Sequence, residues 1–399
     1  MTLMYYKFRA VLVTWLLRLL PRKSPIVFKG PDSALALTQQ VSVLGFSRVA
    51  IVTDNFLAGS GILDGIKKTL SDAAVEFTVF DGVLPDPAFD QVQKGEAAMR
   101  THGCEAVIAV GGGSVLDAAK MMAMLFTNPG ELSKFERIQP CKQPGLPLFA
   151  IPTTAGTGSE ITTAAVITDP VSHRKVPVLD TKMLPDYIAL DAQIMKGMPP
   201  GITAATGMDA LTHAVESYLS KASSASTELQ ATAAVKLIFK YLVRAYRDGN
   251  DMEARDAMSV AAFYAGAAFG RTSVGYVHGI AHQLGRVCGT PHGNANAMVL
   301  PEVLAAYGDC VYERLAALAV IAGLGDQGQA DSQLAALFIQ AIRDMRQELE
   351  LPLQPKGLKA QDVEGIVDEA IKEAGALYPV PRYMQEYEIQ AIVNRLVAA

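Results

Sequence analysis

Cysteine is scarce in this chain, with four in 399 residues, and no two of them form a C-x-x-C pair. That spacing argues against a disulfide-stapled secreted scaffold and against a zinc site made of thiolates. Charge is also modest, because charged residues make up 19% and the formal net charge is −5. A mildly acidic balance offers no electrostatic footprint for nucleic acid and is common in cytoplasmic proteins. We therefore expect a cytoplasmic protein without a nucleic-acid partner.

Even the apolar N-terminal segment, residues 3–20, is too short to span a bilayer. Its longest uncharged run covers only residues 10–17, where about 20 residues are needed. No small-residue cleavage site follows, which argues against a signal peptide. The pattern predicts an amphipathic helical extension over residues 1–24. Two roles stay open: packing on the body or on a partner subunit, or peripheral membrane contact as a basic helix lying in the interface.

Short strand-like runs alternate with helical patterns from about residue 25 to residue 198. The strand-like runs are residues 48–54, 75–80, 106–110 and 148–151, and the helical patterns lie near residues 58–72, 89–102 and 114–126. Such alternation indicates a parallel sheet covered on both faces by helices. After Pro199 and Pro200 the strand-like runs disappear and Ala/Leu-rich helical patterns continue to the end. We therefore predict an α/β domain over residues 25–198 and an all-helical domain over residues 199–399.

A glycine-rich loop joins one of these strands to a helix. Residues 106–110 run directly into Gly111, Gly112, Gly113 and Ser114, and a helical pattern follows. Glycines let a backbone approach an anion closely, and the first turn of a helix supplies unpaired N–H groups and a positive dipole end. Taken alone, such a loop is about as often only a tight connection.

A second loop, residues 152–160, follows another strand and is rich in hydroxyl groups and glycine. Two loops of this kind at the ends of neighbouring strands favour a bound dinucleotide. Asp54 ends the first strand, where a carboxylate accepts hydrogen bonds from an adenine ribose and repels a 2′-phosphate. We therefore expect NAD(H) to be preferred over NADP(H). Asp54 could instead serve only as a helix N-cap.

Four of the six histidines fall between positions 213 and 292. His213 follows Asp209 by four residues and His282 follows His278 by four, and on a helix this spacing puts two side chains on one face. His292 stands in a Pro-His-Gly sequence. One carboxylate with several imidazoles suits Fe(II), Zn(II), Mn(II) or Ni(II). The set predicts one divalent metal site, although a single histidine is more often a plain core or surface residue.

A divalent cation beside a nicotinamide indicates redox chemistry between alcohols and carbonyl compounds. The cation lowers the pKa of the alcohol, and the nicotinamide takes the hydride. A histidine close to the metal could relay the released proton to solvent. Glu216 continues the face of Asp209 and His213 and could support a ligand. A salt bridge within the helix is the interpretation that we favour for it.

Several sequence blocks, in the same order, resemble the iron-containing (group III) alcohol dehydrogenase family. They are residues 111–120, 152–160, 207–216, 275–282 and 291–293. The resemblance runs from about Ile26 to the C-terminus. It implies a Rossmann-like α/β N-terminal domain plus an all-α C-terminal domain, the dehydroquinate synthase-like fold, and a homodimer. It also implies a metal-dependent NAD(H) alcohol dehydrogenase or aldehyde reductase acting on a primary alcohol or aldehyde.

The resemblance also implies roles for individual residues. The metal ligands would be Asp209, His213, His278 and His292, with Fe(II) the expected ion and Zn(II) or another divalent metal as alternatives. His282 would stay unligated near the nicotinamide, which suits the proton relay. The cofactor-binding residues would be Asp54, Gly111, Gly112, Gly113, Ser114, Asp117, Thr153, Thr154, Ser159 and Lys175.

Some features depart from the family pattern. Residues 1–24 have no counterpart in typical members, and Asp86 replaces the more usual asparagine. Other functions also stay open: a dehydroquinate-synthase-like lyase that combines NAD with a metal, a hydroxyacid–oxoacid transhydrogenase, or a non-catalytic sensor of NAD or metal. The Asp-x-x-x-His block and the Pro-His-Gly sequence favour the dehydrogenase over the lyase.

Overall fold

The computed structural model describes residues 23–172 and 174–397 of the chain. These residues divide into two compact units, one ending at Met198 and the other beginning at Pro199. The predicted N-terminal helix over residues 3–20 lies outside the described residues. Among the residues that are described, no helix is both long and apolar enough to cross a membrane.

The first unit is built on a six-stranded sheet in which every neighbouring pair of strands is parallel. Its strands are β1 (Ile26–Lys29), β2 (Arg48–Val52), β3 (Glu76–Phe80), β4 (Ala106–Gly111), β5 (Leu148–Pro152) and β8 (Tyr187–Leu190). They lie in the order β1-β8-β5-β4-β2-β3. β4 and β5 are buried along their whole length, because strands covered on both faces carry continuous apolar runs rather than an alternating pattern.

Helices of this unit connect the strands. They are α1 (Ser33–Val43), α2 (Asn55–Gly59), α3 (Asp64–Asp72), α4 (Phe89–His102), α5 (Gly113–Thr127) and α6 (Leu132–Phe135). The single helix predicted over residues 58–72 is wrong, since α2 ends at Gly59 and α3 begins only at Asp64, with a turn between them. Gly61 has a φ of 83°, a left-handed conformation that a helix cannot continue through and that glycine adopts most readily.

A small antiparallel pair of strands, β6 (Ala164–Thr168) and β7 (Lys175–Leu179), forms a separate sheet in the same unit. This pair of strands was not predicted from the sequence. Each strand alternates buried and more exposed residues, which is typical of a strand covered on one face only.

The second unit is entirely helical within the residues that the structure describes. Its α-helices are α7 (Pro200–Leu219), α8 (Ala225–Arg247), α9 (Met252–Thr272), α10 (Tyr276–Cys288), α11 (His292–Tyr307), α12 (Tyr312–Ile321), α13 (Asp331–Glu348), α14 (Val363–Leu377) and α15 (Glu386–Leu396). Helix α7 begins with Pro200 in its first turn, where the missing N–H costs nothing. The predicted fold class, an α/β N-terminal domain with a parallel sheet and an all-α C-terminal domain, is confirmed.

Candidate active site

Three helices of the second unit bring four potential metal ligands together. Asp209 and His213 lie one turn apart on α7, His278 lies on α10, and His292 is the first residue of α11. One ligand atom from each of the four lies within 4.8 Å of the others. The residues that the resemblance implied as metal ligands therefore form one cluster in the structure.

The carboxylate of Asp209 is surrounded by imidazole nitrogens. Its Oδ1 lies 3.8 Å from Nε2 of His213, 3.8 Å from Nε2 of His278 and 3.3 Å from Nε2 of His292. Burial disfavours the charge of Asp209, but the surrounding histidines outweigh that effect and hold the pKa of its carboxyl group well below the usual range. Asp209 is therefore an anionic acceptor at neutral pH.

Close helix packing places His292 in this cluster. A Cβ added at Gly293 would lie 2.1 Å from the carbonyl oxygen of Ala205 on α7, a separation that no side chain allows. Glycine at this position thus lets the start of α11 lie directly against α7. The glycine of the Pro-His-Gly sequence therefore has a packing explanation that does not depend on a metal.

Glu216 supports His278 from one side. One of its carboxylate oxygens lies 2.6 Å from Nδ1 of His278 and accepts a hydrogen bond from the N–H of Gly275, while the other accepts one from Val277. The favoured interpretation of Glu216 as part of a helix salt bridge is wrong, because its partners lie at the start of α10. A Cβ added at Gly275 would lie 2.6 Å from Glu216 Oε1, so glycine permits this contact.

Asn296 is a buried residue of the cluster that was not predicted from the sequence. Its Nδ2 donates to Asp209 Oδ1 over 2.7 Å, and it lies 3.3 Å from Nε2 of His278 and 3.2 Å from Nε2 of His292. Asn296 follows His292 by four residues on α11, and this spacing was the available signal. The amide thus joins three of the four potential ligands.

Aromatic stacking holds the imidazole ring of His213 in place. The His213 ring lies between Phe269, at a centroid distance of 4.0 Å, and His278, at 4.7 Å.

His282 lies one turn after His278 on α10, with its ring centroid 5.3 Å from that of His292, yet it is not part of the four-residue cluster. Its Nδ1 lies 2.6 Å from Oε1 of Glu373 on α14.

The donor set fits a divalent transition metal. Two ligands bound at about 2.0–2.2 Å to one ion lie roughly 3.0–3.5 Å apart. The separations of 3.3 to 3.8 Å around Asp209 Oδ1 are close to that value, so small side-chain shifts would suffice. A carboxylate with three imidazoles suits Fe(II), Zn(II), Mn(II) or Ni(II) and offers no soft thiolate.

In the first unit, the glycine loop lies between β4 and α5. A Cβ added at Gly111 would lie 2.5 Å from Val115 Cβ, and one added at Gly113 would lie 2.7 Å from Thr157 Cγ2. These two glycines are therefore required for packing. Gly112 is the residue just before α5, and no described side chain caps that helix. The backbone N–H groups at its start are thus suited to an anion such as a diphosphate.

The second loop is tied to α5 by a buried polar network. Asp117 accepts hydrogen bonds from Ser159 Oγ over 2.5 Å and from the N–H of Val166 over 2.9 Å. Lys120 Nζ donates to Ser159 Oγ, Thr162 Oγ1 and the carbonyl oxygen of Ala164. Burial lowers the pKa of Lys120 to about 8, although Asp117 and Glu160 oppose this shift. Asp117 and Ser159 therefore have partners within the protein, and their contact with a cofactor stays a prediction.

The remaining predicted cofactor residues have the following positions. Asp54 caps α2, because its Oδ1 accepts a hydrogen bond from the N–H of Leu57 over 2.9 Å. Lys175 Nζ lies 2.7 Å from Asp86 Oδ1 in an exposed ion pair. Thr153 is buried and donates its N–H to the carbonyl oxygen of Gly111, while Thr154 and Ser114 are half-buried.

Comparisons with known proteins cover both units. The family model described as iron-containing alcohol dehydrogenase matches residues 24–192, and the C-terminal model of the Fe-containing alcohol dehydrogenase family matches residues 203–397. The chain is 38% identical to alcohol dehydrogenase 4 of Schizosaccharomyces pombe, over 86% of this chain and 81% of the relative. It is 36% identical to the NAD-dependent methanol dehydrogenase of Bacillus methanolicus, over 83% of this chain and 87% of the relative.

A solved structure shows the same fold. The crystal structure of a 1,3-propanediol oxidoreductase superposes with a TM-score of 0.91 at 34% identity, covering 95% of this chain and 100% of that one. Both the resemblance and the enzyme class predicted from the sequence are confirmed. The chain belongs to the iron-containing alcohol dehydrogenase family, and it is an oxidoreductase that interconverts alcohols and aldehydes.

Proposed function

We propose that this alcohol dehydrogenase binds one divalent cation, Fe(II), through Asp209, His213, His278 and His292, and transfers hydride between a small primary alcohol and NAD. The observation that carries the proposal is the cluster itself, with its four ligand atoms within 4.8 Å of one another. Bound there, the cation would supply Lewis acidity toward the alcohol oxygen, and NAD would accept the hydride.

The neighbours of the cluster support this assignment. Glu216 holds Nδ1 of His278, which leaves Nε2 for the cation, as carboxylates commonly do for metal-binding histidines. Asn296 holds Asp209 through its amide. His282, outside the four ligands and 35% exposed, would exchange the reaction's proton with solvent.

For the cofactor we propose the backbone at residues 111–114, with Thr153 and Thr154, as the diphosphate site. The start of α5 supports this proposal, because it offers N–H groups with no side-chain cap in the described chain. We also propose that Asp54 disfavours a 2′-phosphate and that Lys175 contacts the cofactor when Asp86 releases it. Asp117 and Ser159 would shape the two loops through their mutual hydrogen bond.

Reconstitution with metal tests the proposal. The protein is purified without oxygen, stripped of metal and supplied in turn with Fe(II), Zn(II), Mn(II) or Ni(II). NADH formation is then followed with a panel of primary alcohols. We expect one metal per chain, the highest turnover with Fe(II), and loss of both metal and turnover in His278→Ala.

The matched control is His102→Ala, which removes a histidine at the end of α4, outside the cluster. It should keep full metal content and turnover. Steady NADH release separates the dehydrogenase from a transhydrogenase, which would oxidise alcohol only when an oxoacid is added, and from a lyase, which would release no NADH. A homodimer stays a prediction that light scattering checks, and membrane contact through residues 3–20 stays one that vesicle sedimentation checks. A cytoplasmic location also stays a prediction.

A further inference from the structure

Two histidines one turn apart on α10 are held in the same manner by carboxylates from different helices. Nδ1 of His278 lies 2.6 Å from Glu216 on α7, and Nδ1 of His282 lies 2.6 Å from Glu373 on α14. Only His278 belongs to the four-residue cluster. The second carboxylate therefore holds an imidazole that is not one of the four proposed metal ligands.

Glu373 is itself fixed by several donors. Its Oε1 accepts a hydrogen bond from the Tyr378 hydroxyl and faces Nδ1 of His282, while its Oε2 accepts one from Gln283 Nε2 over 3.1 Å. Burial disfavours the charge, but the hydrogen bonds from His282 and Tyr378 outweigh it and lower the pKa of Glu373. Glu373 is therefore an ionised carboxylate, which can only accept hydrogen bonds.

The state of Tyr378 agrees with this arrangement. Burial and the charge of Glu373 raise the pKa of Tyr378 well above the usual value, so its hydroxyl keeps its proton and donates. Because Glu373 only accepts, the proton between it and His282 belongs on Nδ1 of the imidazole. In the neutral imidazole the other ring nitrogen, Nε2, then carries the lone pair.

The position of the His282 ring makes its tautomer important for proton transfer. The ring lies nearly parallel to that of His292, at 18° and a centroid distance of 5.3 Å, and its side chain is 35% exposed. It thus lies beside the proposed metal site and also reaches solvent. A proton acceptor in this place works only when the nitrogen with the lone pair is the one presented to the substrate.

We infer that Glu373, itself held by Tyr378, is a positioning residue that keeps His282 in the Nδ1–H tautomer and a single ring orientation. This inference rests on the proposed function, in which Nε2 of His282 exchanges the proton of the reaction. The carboxylate acts only through the imidazole. Replacing it should therefore affect turnover far more than binding of substrate or metal.

The deciding variant is Glu373→Gln, because a glutamine NH₂ can donate to Nδ1 and favour the opposite tautomer. In the zinc-loaded protein labelled with ¹⁵N-histidine, the Nδ1–H signature of His282, assigned by its loss in His282→Asn, should disappear. The kcat should fall about 100-fold, the scale expected of a lost proton-transfer group. The KM for alcohol and the zinc content should stay within about twofold.

Three further variants make the test specific. Glu364→Gln makes the same change at an exposed position on the same helix and should leave tautomer and kcat unchanged. Tyr378→Phe keeps the carboxylate, so the Nδ1–H tautomer should remain and kcat should fall less than about tenfold. Glu373→Asp keeps the charge and supplies the answer if the glutamine variant does not fold: the Nδ1–H tautomer should survive with a partial loss of kcat.

The outcomes separate the inference from the proposed function. An unaltered kcat in Glu373→Gln, or a lower kcat with the His282 tautomer unchanged, would overturn the inference. A shared fall of kcat and metal content would also overturn it, because Glu373 would then be a general structural residue. If the wild-type protein forms no NADH, the proposed function fails, whereas the tautomer measurement still reports on Glu373.

Discussion

Nδ1 of His278 lies 2.6 Å from a carboxylate oxygen of Glu216, so a proposed metal ligand is held by a buried acid on a neighbouring helix. The same acid accepts the N–H groups of Gly275 and Val277 at the start of α10. One side chain thus positions both the imidazole and the helix that carries it.

We predict that Glu216→Gln weakens metal binding by about 10- to 100-fold, the usual effect of losing a carboxylate behind a metal-binding histidine. Zinc affinity is measured by competition with a chelator. Glu313→Gln, at an exposed position in the first turn of α12, is the matched control and should bind zinc like wild type. Equal affinity in the two variants would contradict the role of Glu216.

Asn296 should stabilise the cluster even without a metal, because its amide donates to the buried carboxylate of Asp209. We predict that Asn296→Ala lowers the free energy of unfolding of the metal-free protein by about 1–3 kcal/mol, the cost of leaving a buried acceptor without its donor. Urea unfolding measures this change. Asn294→Ala, two residues earlier on α11 and half-buried, should cost much less; a similar loss there would make the effect nonspecific.

Local spacing predicted which side chains share a helix face, whereas the set of four potential ligands came from the family resemblance. Asp209 and His213 are one helical turn apart, and so are His278 and His282, and this pattern survives any arrangement of the helices. The partners of these residues are not local. Glu373 is 91 residues from His282, so no spacing rule connects them. The role of Glu216 was misjudged for the same reason, since its partners begin 59 residues later at Gly275.

In the fold, too, some strands could be predicted from the sequence and others could not. The buried strands β2, β4 and β5 were predicted because a strand covered on both faces is apolar throughout. Strands β6 and β7 were missed, because each alternates over only five residues and carries weak patterning. Strand order also could not be predicted, since β1 pairs with β8 across most of the unit's sequence.

The glycines of the first loop should differ in their sensitivity to alanine. Gly113→Ala should lower the free energy of unfolding by about 1–3 kcal/mol, because the new Cβ would meet Thr157 Cγ2 at 2.7 Å. Gly112→Ala meets Thr154 Cγ2 at 3.3 Å, so it should keep nearly wild-type stability but raise the Kd for NAD. Chemical unfolding and NAD titration test the two. Normal NAD binding by a folded Gly112→Ala would argue against the diphosphate site.

The Asp54 side chain both caps α2 and carries a negative charge, and Asp54→Asn removes the charge while it keeps the cap. Asparagine caps helices as well as aspartate does, so α2 and overall stability should be unchanged. Removing one negative charge should improve the relative use of NADP by about fivefold or more, since a partly screened charge near a phosphate is worth about 1 kcal/mol or more. The ratio of kcat/KM for the two cofactors measures this effect. An unchanged ratio would assign Asp54 to capping alone.

Ser273 lies in the turn between α9 and α10 with φ 61° and ψ −173°, a conformation that side chains rarely adopt. We predict that Ser273→Gly raises the free energy of unfolding by about 1 kcal/mol, because glycine adopts this backbone without strain. Ser273→Ala retains the strain and should match wild type. Thermal and urea unfolding compare the three proteins, and a destabilised glycine variant would contradict the prediction.

The most direct test of the central claim is a crystal structure of the zinc- or iron-loaded protein with anomalous scattering recorded at the metal edge. We predict one anomalous peak per chain, about 2.0–2.2 Å from a carboxylate oxygen of Asp209 and from Nε2 of His213, His278 and His292, with His282 unligated. The account would be contradicted by an anomalous peak bound by a different set of residues. It would also be contradicted if an active protein with one metal per chain showed no metal between the four side chains.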